Sequence, residues 1–297
     1  MFATLLGPLP RPPLPSDAPP EAIVDACLEL QAEHGIEPAI DGGWELVPGD
    51  VVASWRAAAE RADRLVKAVV AGPFSSGRVA ALVRRDVVGL LEAGCRWVEV
   101  HEPEAVSIGE DAEARGRFAD MHRALTRDLG SEVHLTLAIT GGNADAAGID
   151  TILAGAYSSL AVDLIDGPDN WRLAVAVPGE RGVICGALSA HAGSADGPET
   201  MLWAARYAAG SKRRGMVRVG LATSGSMRAL SWDEAATKVR RLGDAARIAT
   251  MPVESQRAAI DPRAVDIRSA GLGRVEPPGA RRRARRWRQR EGGGSDV

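Results

Sequence analysis

Short apolar runs alternate with longer amphipathic stretches along most of the chain. Eight such runs are rich in Val, Ile, Leu and Ala and are bounded by Gly, Pro or polar residues. They are Ala3–Gly7, Glu37–Asp41, Lys67–Gly72, Trp97–His101, Val133–Ile139, Ser159–Leu164, Gly182–Leu188 and Met216–Thr223. Because parallel strands are covered on both faces, runs of this kind predict buried parallel strands.

The stretches between these runs have helical periodicity. Over Arg78–Ala93 the apolar residues form one stripe that includes Val79 and Leu82, and Gly94 follows where a C-cap is expected. The pattern Ser231–Glu234 is a capping box that predicts the start of the last helix. Strands alternating with helices over about 250 residues predict an α/β protein with a single (β/α)₈ TIM barrel.

An open, doubly wound sheet is the competing architecture. It commonly carries a glycine-rich phosphate-binding turn after its first strand. Here the segment Gly7–Pro15 reads GPLPRPPLP, and its prolines cannot form such a turn. The barrel is therefore predicted for residues 1–255, and residues 256–297 form a C-terminal extension.

Charge is divided between a body and a tail. The run Arg281–Arg290 holds seven arginines and Trp287, and without residues 281–297 the body has a net charge of −8, from 29 basic and 37 acidic residues. Such a run, ending in glycines, predicts a disordered tail from about residue 275. Its arginines allow weak phosphate contact, but the acidic body gives nucleic acid no basic surface beside it.

Composition narrows the class further. The chain has 297 residues, 45% of them hydrophobic, and no apolar run long enough to span a membrane, so we expect a sizeable core and no membrane segment. Cys27, Cys95 and Cys185 are odd in number and far apart, which favours reduced thiols, and Cys185 is expected in the core. The N-terminus lacks the features of a signal peptide, so a cytoplasmic location is the expectation.

Five stretches carry a family likeness: LLGPLPRP, LELQAEHGIEPAIDGGW, KAVVAGP, LLEAGCRWVEVHEPEA and GLATSGSMRALSWDEAATKVRRL. In this order they resemble the C-terminal catalytic barrel of cobalamin-independent methionine synthase, over about residues 2–250. The resemblance implies a barrel of the methionine synthase and uroporphyrinogen decarboxylase type. It also implies a relation to S-methyl or S-alkyl transfer from a folate to homocysteine or another thiol.

The family's chemistry uses a zinc-bound thiolate, because the metal lowers the pKa of the substrate thiol. At the positions of the family's zinc ligands this chain has Thr136, Ala138, Asp163 and Val219. His134 lies two residues before Thr136 on the same face of its strand, but lower in the barrel. We therefore expect a degenerate zinc site, with no bound metal and no other cofactor.

The residues with which the family binds its amino-acid substrate are also replaced. Pro8 stands in the place of a serine, Gly43 replaces the glutamate of an Asp-Gly-Glu motif, and His101 replaces an aspartate. Each change removes a charge or a hydrogen bond, and an unpaired buried polar group costs about 1–3 kcal/mol. Ordinary methionine synthesis is therefore not expected.

In a barrel, the functional residues lie at the carboxyl ends of the strands. His101 and Glu102 are the candidate catalytic pair, because a histidine in this position titrates near neutrality; a packed, structural role is the alternative. Candidate ligand-binding residues at the same end are Asp41, Asp163, Thr136, Thr140, His191 and Ser224. A replacement metal site can be drawn from His101, Asp163 and His191, but their spacing does not demand one.

Two loops carry N–H groups able to hold an anion, Thr140–Asn143 and Phe74–Gly77. A tight turn explains the first equally well, and a helix N-cap explains the second. His34 and His122 fall on predicted helices beside charged residues and are expected at the surface.

Three functions stay open at this point. The first is a methyl- or alkyltransferase of the methionine synthase family, and the second is a metal-free barrel enzyme that uses His101 and Glu102. The third is a non-catalytic barrel that binds a small ligand or a partner protein. In the enzyme readings a small molecule binds at the C-terminal mouth of the barrel, and the sequence identifies neither that molecule nor the oligomeric state.

Overall fold

One parallel sheet of seven strands forms the centre of the molecule. The computed structural model describes residues 1–129, 133–194, 196–252, 255–256 and 259. The sheet order is β1-β7-β6-β5-β4-β3-β2. The strands are β1 (Phe2–Thr4), β2 (Ala68–Ala71), β3 (Trp97–His101), β4 (His134–Ile139), β5 (Ser159–Asp163), β6 (Gly182–Leu188) and β7 (Val219–Thr223). Since β1 pairs with β7, the first and last strands are neighbours, as a barrel requires.

The second predicted strand, Glu37–Asp41, differs from the prediction. It forms only isolated bridges, to Ala3 on one side and to Val66 on the other. Pro38 has no N–H to donate to a ladder, and the chain then turns away through Gly42 and Gly43, whose φ angles are 79° and 76°. The segment still lies between the two edge strands of the sheet, because Ala3 belongs to β1 and Val66 lies just before β2. The α/β barrel class is confirmed, with seven full strands and one fragment instead of eight.

Helices cover the outside of the sheet. They are α1 (Pro20–Glu33), α2 (Val51–Ala59), α3 (Pro73–Ser76), α4 (Ala80–Glu92), α5 (Ala112–Thr126), α6 (Ile149–Ile152), α7 (Trp171–Ala176), α8 (Pro198–Gly210) and α9 (Trp232–Ala249). The predicted capping box opens α9, because Ser231 Oγ accepts from the N–H of Glu234 and the Glu234 carboxylate accepts in return. Within the described ranges, no helix has the length and apolar character needed to cross a membrane.

Strand residues alternate between the helices and the barrel axis. In β3, Val98 and Val100 belong to the large core beneath the helices. Trp97, Glu99 and His101 therefore face the axis. The middle of the axis is filled by a second cluster of apolar side chains, which combines three alanines with one leucine and one isoleucine: Leu6, Ala138, Ala161, Ile184 and Ala222.

One buried arginine fastens α7 to α8. Arg214 is 1% exposed. Its guanidinium donates to the carbonyl oxygens of Ala174, Val177 and Ala208, and its Nε donates to that of Arg181. The carbonyls in the last turn of a helix have no partner within the helix, so this side chain satisfies the ends of two helices at once.

The structure confirms one prediction about burial and corrects two others. Cys185 is fully buried, as expected, and burial raises the pKa of its thiol to about 12. The prediction that His122 lies at the surface is wrong, because His122 is fully buried while its charged neighbours Asp120 and Arg123 take the exposed side of α5. The predicted stripe of α4 also shifts, because Val79 precedes the helix and is 66% exposed. Leu82 of the same stripe is also exposed, and the buried face of α4 carries Val83, Val87 and Leu90.

Two predictions concern the C-terminal part of the chain. The basic run Arg281–Arg290 is outside the described residues. The domain boundary at residue 255 accordingly stays a prediction.

Candidate functional site

Six of the eight predicted site residues lie at one end of the barrel, where the carboxyl ends of the strands meet. His101 and Asp163 end β3 and β5, and Thr140 and Ser224 follow β4 and β7 directly. Asp41 ends the fragmentary segment, and His191 lies in the loop after β6. We call this end the C-terminal mouth.

His101 is the best-placed ionisable group at the mouth. It faces the axis, and its Nε2 lies 2.8 Å from Oγ1 of Thr140. Burial lowers the pKa of His101 below its ordinary value; the charge of Glu99 opposes this effect and that of Lys67 adds to it. The imidazole is therefore neutral at pH 7, and a neutral imidazole has one ring nitrogen able to accept a proton.

A buried ion pair lies one step deeper on the same wall. Nζ of Lys67 donates to Oε2 of Glu99 and, at 2.8 Å, to the carbonyl oxygen of Leu5. Both charged side chains are fully buried. The other carboxylate oxygen of Glu99 has no hydrogen-bond partner among the described residues. No sequence motif predicts this pair, but a charged residue within each of two apolar runs, Lys67 in KAVVAG and Glu99 in WVEVH, was a signal for it.

Glu102 does not face the mouth. Its oxygens accept from the N–H groups of Phe74 (2.9 Å) and Ser75 (2.7 Å), so it caps the short helix α3 from behind the sheet. Burial raises the pKa of Glu102, but His122 and these hydrogen bonds outweigh burial and leave the pKa below its ordinary value. The loop predicted to hold an anion therefore holds the protein's own carboxylate, and the proposed pair of His101 and Glu102 is not assembled.

Two further buried side chains complete the surroundings of Glu102. Nε2 of His122 lies 3.1 Å from Oε1 of Glu102, and its Nδ1 is hydrogen-bonded to the hydroxyl of Tyr157. Burial, followed by the charge of Glu102, holds the pKa of Tyr157 well above its ordinary value. Because these groups face one another and are sealed from solvent, the network ties α3 and α5 to the barrel and is structural.

The Asp163 carboxylate is hydrogen-bonded to backbone N–H groups in the loops of the mouth. It accepts from the N–H groups of Gly141 (3.1 Å), Ile165 (2.8 Å) and Asp166 (3.0 Å). Burial raises the pKa of Asp163 above its ordinary value, although these three hydrogen bonds oppose that effect. Since Gly141 already donates to Asp163, the loop Thr140–Asn143 is best explained as a tight turn.

The remaining predicted residues have separate surroundings. Ser224 Oγ accepts from the N–H of Ala190 at 3.0 Å. His191 is exposed, and its Nε2 lies 2.8 and 2.9 Å from the two oxygens of Asp166. Burial, and secondarily the charge of Glu45, raise the pKa of Asp41, while a hydrogen bond from the N–H of Gly43 opposes them.

Thr136 lies at the opposite, N-terminal end of the barrel. Its Oγ1 accepts from Nε1 of Trp97 at 3.0 Å and lies 2.8 Å from Oγ of Ser159. His134 completes this cluster, since its ring lies against that of Trp97 and its Nε2 is 2.8 Å from Ser159 Oγ. Phe2 and Trp97 also line a cavity of about 680 Å³ that opens at this end.

The side chains at the expected zinc positions do not fit the metal. Ala138 and Val219 have no donor atom, Thr136 is hydrogen-bonded at the far end, and Asp163 already accepts from three N–H groups. His101 and His191 belong to separate contacts, with Thr140 and Asp166. Within the described part of the chain, no three His, Cys, Asp or Glu residues are grouped so as to hold a metal ion.

The sheet, its helices and a polar mouth at the carboxyl ends of the strands define an α/β barrel of the TIM class. Among solved structures, a B12-independent methionine synthase from Shewanella sp. W3-18-1, in complex with selenomethionine, has a TM-score of 0.70 and 12% identity. The match covers 87% of this chain and 99% of that one.

Two other barrels extend the comparison. A protein assigned as a vitamin-B12-independent methionine synthase from Listeria monocytogenes has a TM-score of 0.65 at 11% identity, over 85% of this chain and 100% of that one. A protein assigned as a deoxyribose-phosphate aldolase from Toxoplasma gondii ME49 has a TM-score of 0.51 at 15% identity, over 83% and 94%. No protein-family model and no curated protein matches the chain. At these identities the likeness establishes the α/β barrel fold alone, and no activity.

Proposed function

We propose that this protein is a metal-free barrel enzyme in which His101 acts as the general base on a small molecule bound at the C-terminal mouth. The observation that carries the proposal is the state of His101. It is half-buried, faces the axis, and is hydrogen-bonded to the Thr140 hydroxyl. Burial lowers the pKa of His101, so the base is neutral at the pH where it would act.

The neighbouring groups have distinct roles in this proposal. Thr140 orients the imidazole, because the hydroxyl and Nε2 share one hydrogen bond. After His101 takes a proton, the negative charge of Glu99 stabilises the imidazolium and the positive charge of Lys67 limits that stabilisation. General base catalysis of this kind contributes about 10²- to 10⁴-fold to a rate.

The likeness to methionine synthase suggests the first substrates to test. One of the solved relatives holds selenomethionine, and a relation to methyl or alkyl transfer makes thiols and folates the leading classes. A neutral imidazole is chemically suited to accept the proton of a thiol, whose ordinary pKa is about 8.5. In this proposal the imidazole accepts the proton while the thiol attacks its substrate, because a base with a pKa below that of the thiol does not form the thiolate beforehand. Small carboxylates are the other class to test.

The test uses the purified full-length protein. Thiols, folates and small carboxylates are screened by thermal shift, and binders are assayed for turnover with wild type and His101→Gln. A ligand at 100 times its Kd is expected to stabilise the fold by about 2.7 kcal/mol, and His101→Gln is expected to lower turnover at least about 100-fold. His34→Gln is the matched control, because His34 lies at the opposite end of the barrel.

Two results would overturn the proposal. One is turnover that is unchanged in His101→Gln. The other is stoichiometric zinc that survives chelation and is required for activity.

The position of Glu102 favours a second candidate, a barrel that binds a small ligand without converting it. With Glu102 used to cap α3, His101 has no second acid or base from the predicted pair. For such a protein the screen identifies ligands, His101→Gln lowers their affinity, and the wild type forms no product.

A further inference from the structure

The barrel wall has a gap between the fragmentary second segment and β2. A cavity of about 170 Å³ occupies it, bounded by the second segment, α2 and the start of β2. We call it the seam cavity. Its apolar walls include Val51, Trp55 and Val66, and its polar ones include Asp41, Glu45 and Lys67.

The turn that opens the seam cavity is fixed by close packing. A Cβ on Gly42 would lie 2.5 Å from Sγ of Cys27, and one on Gly43 would lie 2.5 Å from Cβ of Pro8. Both glycines also have positive φ angles, of 79° and 76°. Since no other residue fits this path, the departure of the chain after Asp41 is a built feature of the fold.

The apolar wall is also held in place. Trp55 Nε1 donates to the carbonyl oxygen of Val66 at 3.0 Å, which fixes the indole between α2 and the chain leading into β2. For comparison, an engineered apolar cavity of about 150 Å³ accommodates benzene. The seam cavity therefore has room for an apolar group the size of one aromatic ring.

The charge of the seam cavity is negative. Asp41 and Glu45 supply two carboxylates, and the N–H of Gly43 donates to Asp41. Arg228, whose guanidinium donates to the carbonyl oxygen of Gly43 at 2.6 Å, acts to lower the pKa of Asp41 against the larger effect of burial and offsets one of these two negative charges. The ammonium of Lys67 does not neutralise them, because it is held by Glu99 and by the carbonyl oxygen of Leu5. A carboxylate that burial disfavours gains most from a cation brought to it.

We propose that the seam cavity binds a small primary ammonium ion whose apolar body is the size of one aromatic ring. Asp41 pairs with the ammonium group, and the body lies against Trp55 and Val51. This site goes beyond the proposed function, because His101 does not line the cavity.

The test measures binding of benzylamine to the full-length protein by NMR, through the indole N–H signal of Trp55, assigned with Trp55→Phe. Benzylamine is expected to shift this signal in a saturable way. Benzyl alcohol is expected to bind at least about tenfold more weakly, and benzoate is expected not to bind, because neither pairs with Asp41.

Variants locate the site. Asp41→Asn is expected to weaken benzylamine at least about tenfold, and Val51→Phe is expected to abolish binding by filling the cavity. If Asp41→Asn does not fold, Glu45→Gln gives the charge test with a smaller loss. Asp25→Asn is the matched control, because Asp25 is a carboxylate on α1 that pairs with Arg61 at 3.4 Å, away from the cavity. His101→Gln is expected to retain binding, which separates this proposal from the proposed function.

Either of two outcomes would overturn the proposal. One is the absence of any saturable shift at benzylamine concentrations up to about 10 mM. The other is equal binding by wild type, Asp41→Asn and Val51→Phe.

Discussion

Each end of the barrel interior contains a histidine on an inward strand face, and the two differ in what surrounds them. At the N-terminal end, the ring of His134 lies 3.8 Å from that of Trp97, centroid to centroid, and its Nε2 bonds to Ser159. At the C-terminal mouth, His101 bonds to the hydroxyl of Thr140. The first belongs to a network of stacked and hydrogen-bonded groups, whereas the second has a single hydrogen-bond partner and no stacked ring among the described residues. The comparison separates a histidine that supports the fold from one that is suited to chemistry.

The Lys67–Glu99 pair connects the two ends. Burial, and secondarily the charge of Lys67, lower the pKa of His134 to about 4. Lys67 also contributes to the lowered pKa of His101 at the mouth. One buried ammonium thus disfavours protonation at both ends, and the paired carboxylate beneath His101 partly restores it there.

The largest expected effect comes from breaking this central pair. Lys67→Met leaves the Glu99 carboxylate buried without a counterion, and removing one partner of a buried ion pair costs about 3–5 kcal/mol. Urea unfolding is expected to show this loss in the free energy of unfolding. The double variant Lys67→Met, Glu99→Leu should recover most of it, and a loss below about 1 kcal/mol in the single variant would contradict a buried, charged pair.

Lowering the pH tests the surroundings of His134 at the N-terminal end of the barrel. His134 has a pKa of about 4 in the folded protein, against an ordinary value of 6.5. The unfolded chain therefore binds the additional proton first, so stability is retained above pH 6.5 and falls as the pH drops towards 4. The difference between the two pKa values corresponds to at most about 3 kcal/mol.

The measurement is urea unfolding at several pH values between 7.5 and 4 for wild type and His134→Gln. The variant should lose this part of the pH dependence, because it removes the group that takes up the proton. An identical pH profile in both proteins would be evidence against a depressed pKa at His134.

The same substitution at each end gives a direct test of the comparison. Thr136→Val leaves Trp97 Nε1 and the Ser159 hydroxyl without their shared partner, at a cost of about 1–3 kcal/mol. Thr140→Val removes one hydrogen bond at the mouth and should cost only about 0.5–1.5 kcal/mol. Chemical denaturation of the two variants decides the point, and a larger loss for Thr140→Val would reverse the assignment of the two ends.

The smallest effect on stability is expected at the proposed base. His101→Gln keeps a group able to bond with Thr140 and removes no stacking partner, so the free energy of unfolding should change by less than about 1 kcal/mol. The same change at His134 should cost more, because it also removes the contact with Trp97. Equal losses at the two positions would remove the distinction between them.

Strand periodicity explains which predictions succeeded. Seven apolar runs became strands because their composition matches burial on both faces. The run containing Pro38 became a fragment, and its proline was the visible warning. The same periodicity argues against the predicted pair of His101 and Glu102, because consecutive residues of a strand point to opposite faces of the sheet.

Other features of the site were beyond the reach of sequence patterns. The contact between Lys67 and Glu99 depends on β2 lying beside β3 in one register, in which Val69 pairs with Glu99. The capture of the Glu102 carboxylate by α3 depends on the path of a loop across the outside of the sheet. Local periodicity fixes which face a side chain takes, but not which strand or loop it meets there.

The hydrogen bonds of the buried Arg214 guanidinium have a consequence for how the molecule opens. They reach the terminal carbonyls of both α7 and α8, so neither helix can fray without exposing a buried positive charge. These helices therefore form one cooperative unit, and their amides are expected to share a common opening rate in hydrogen–deuterium exchange.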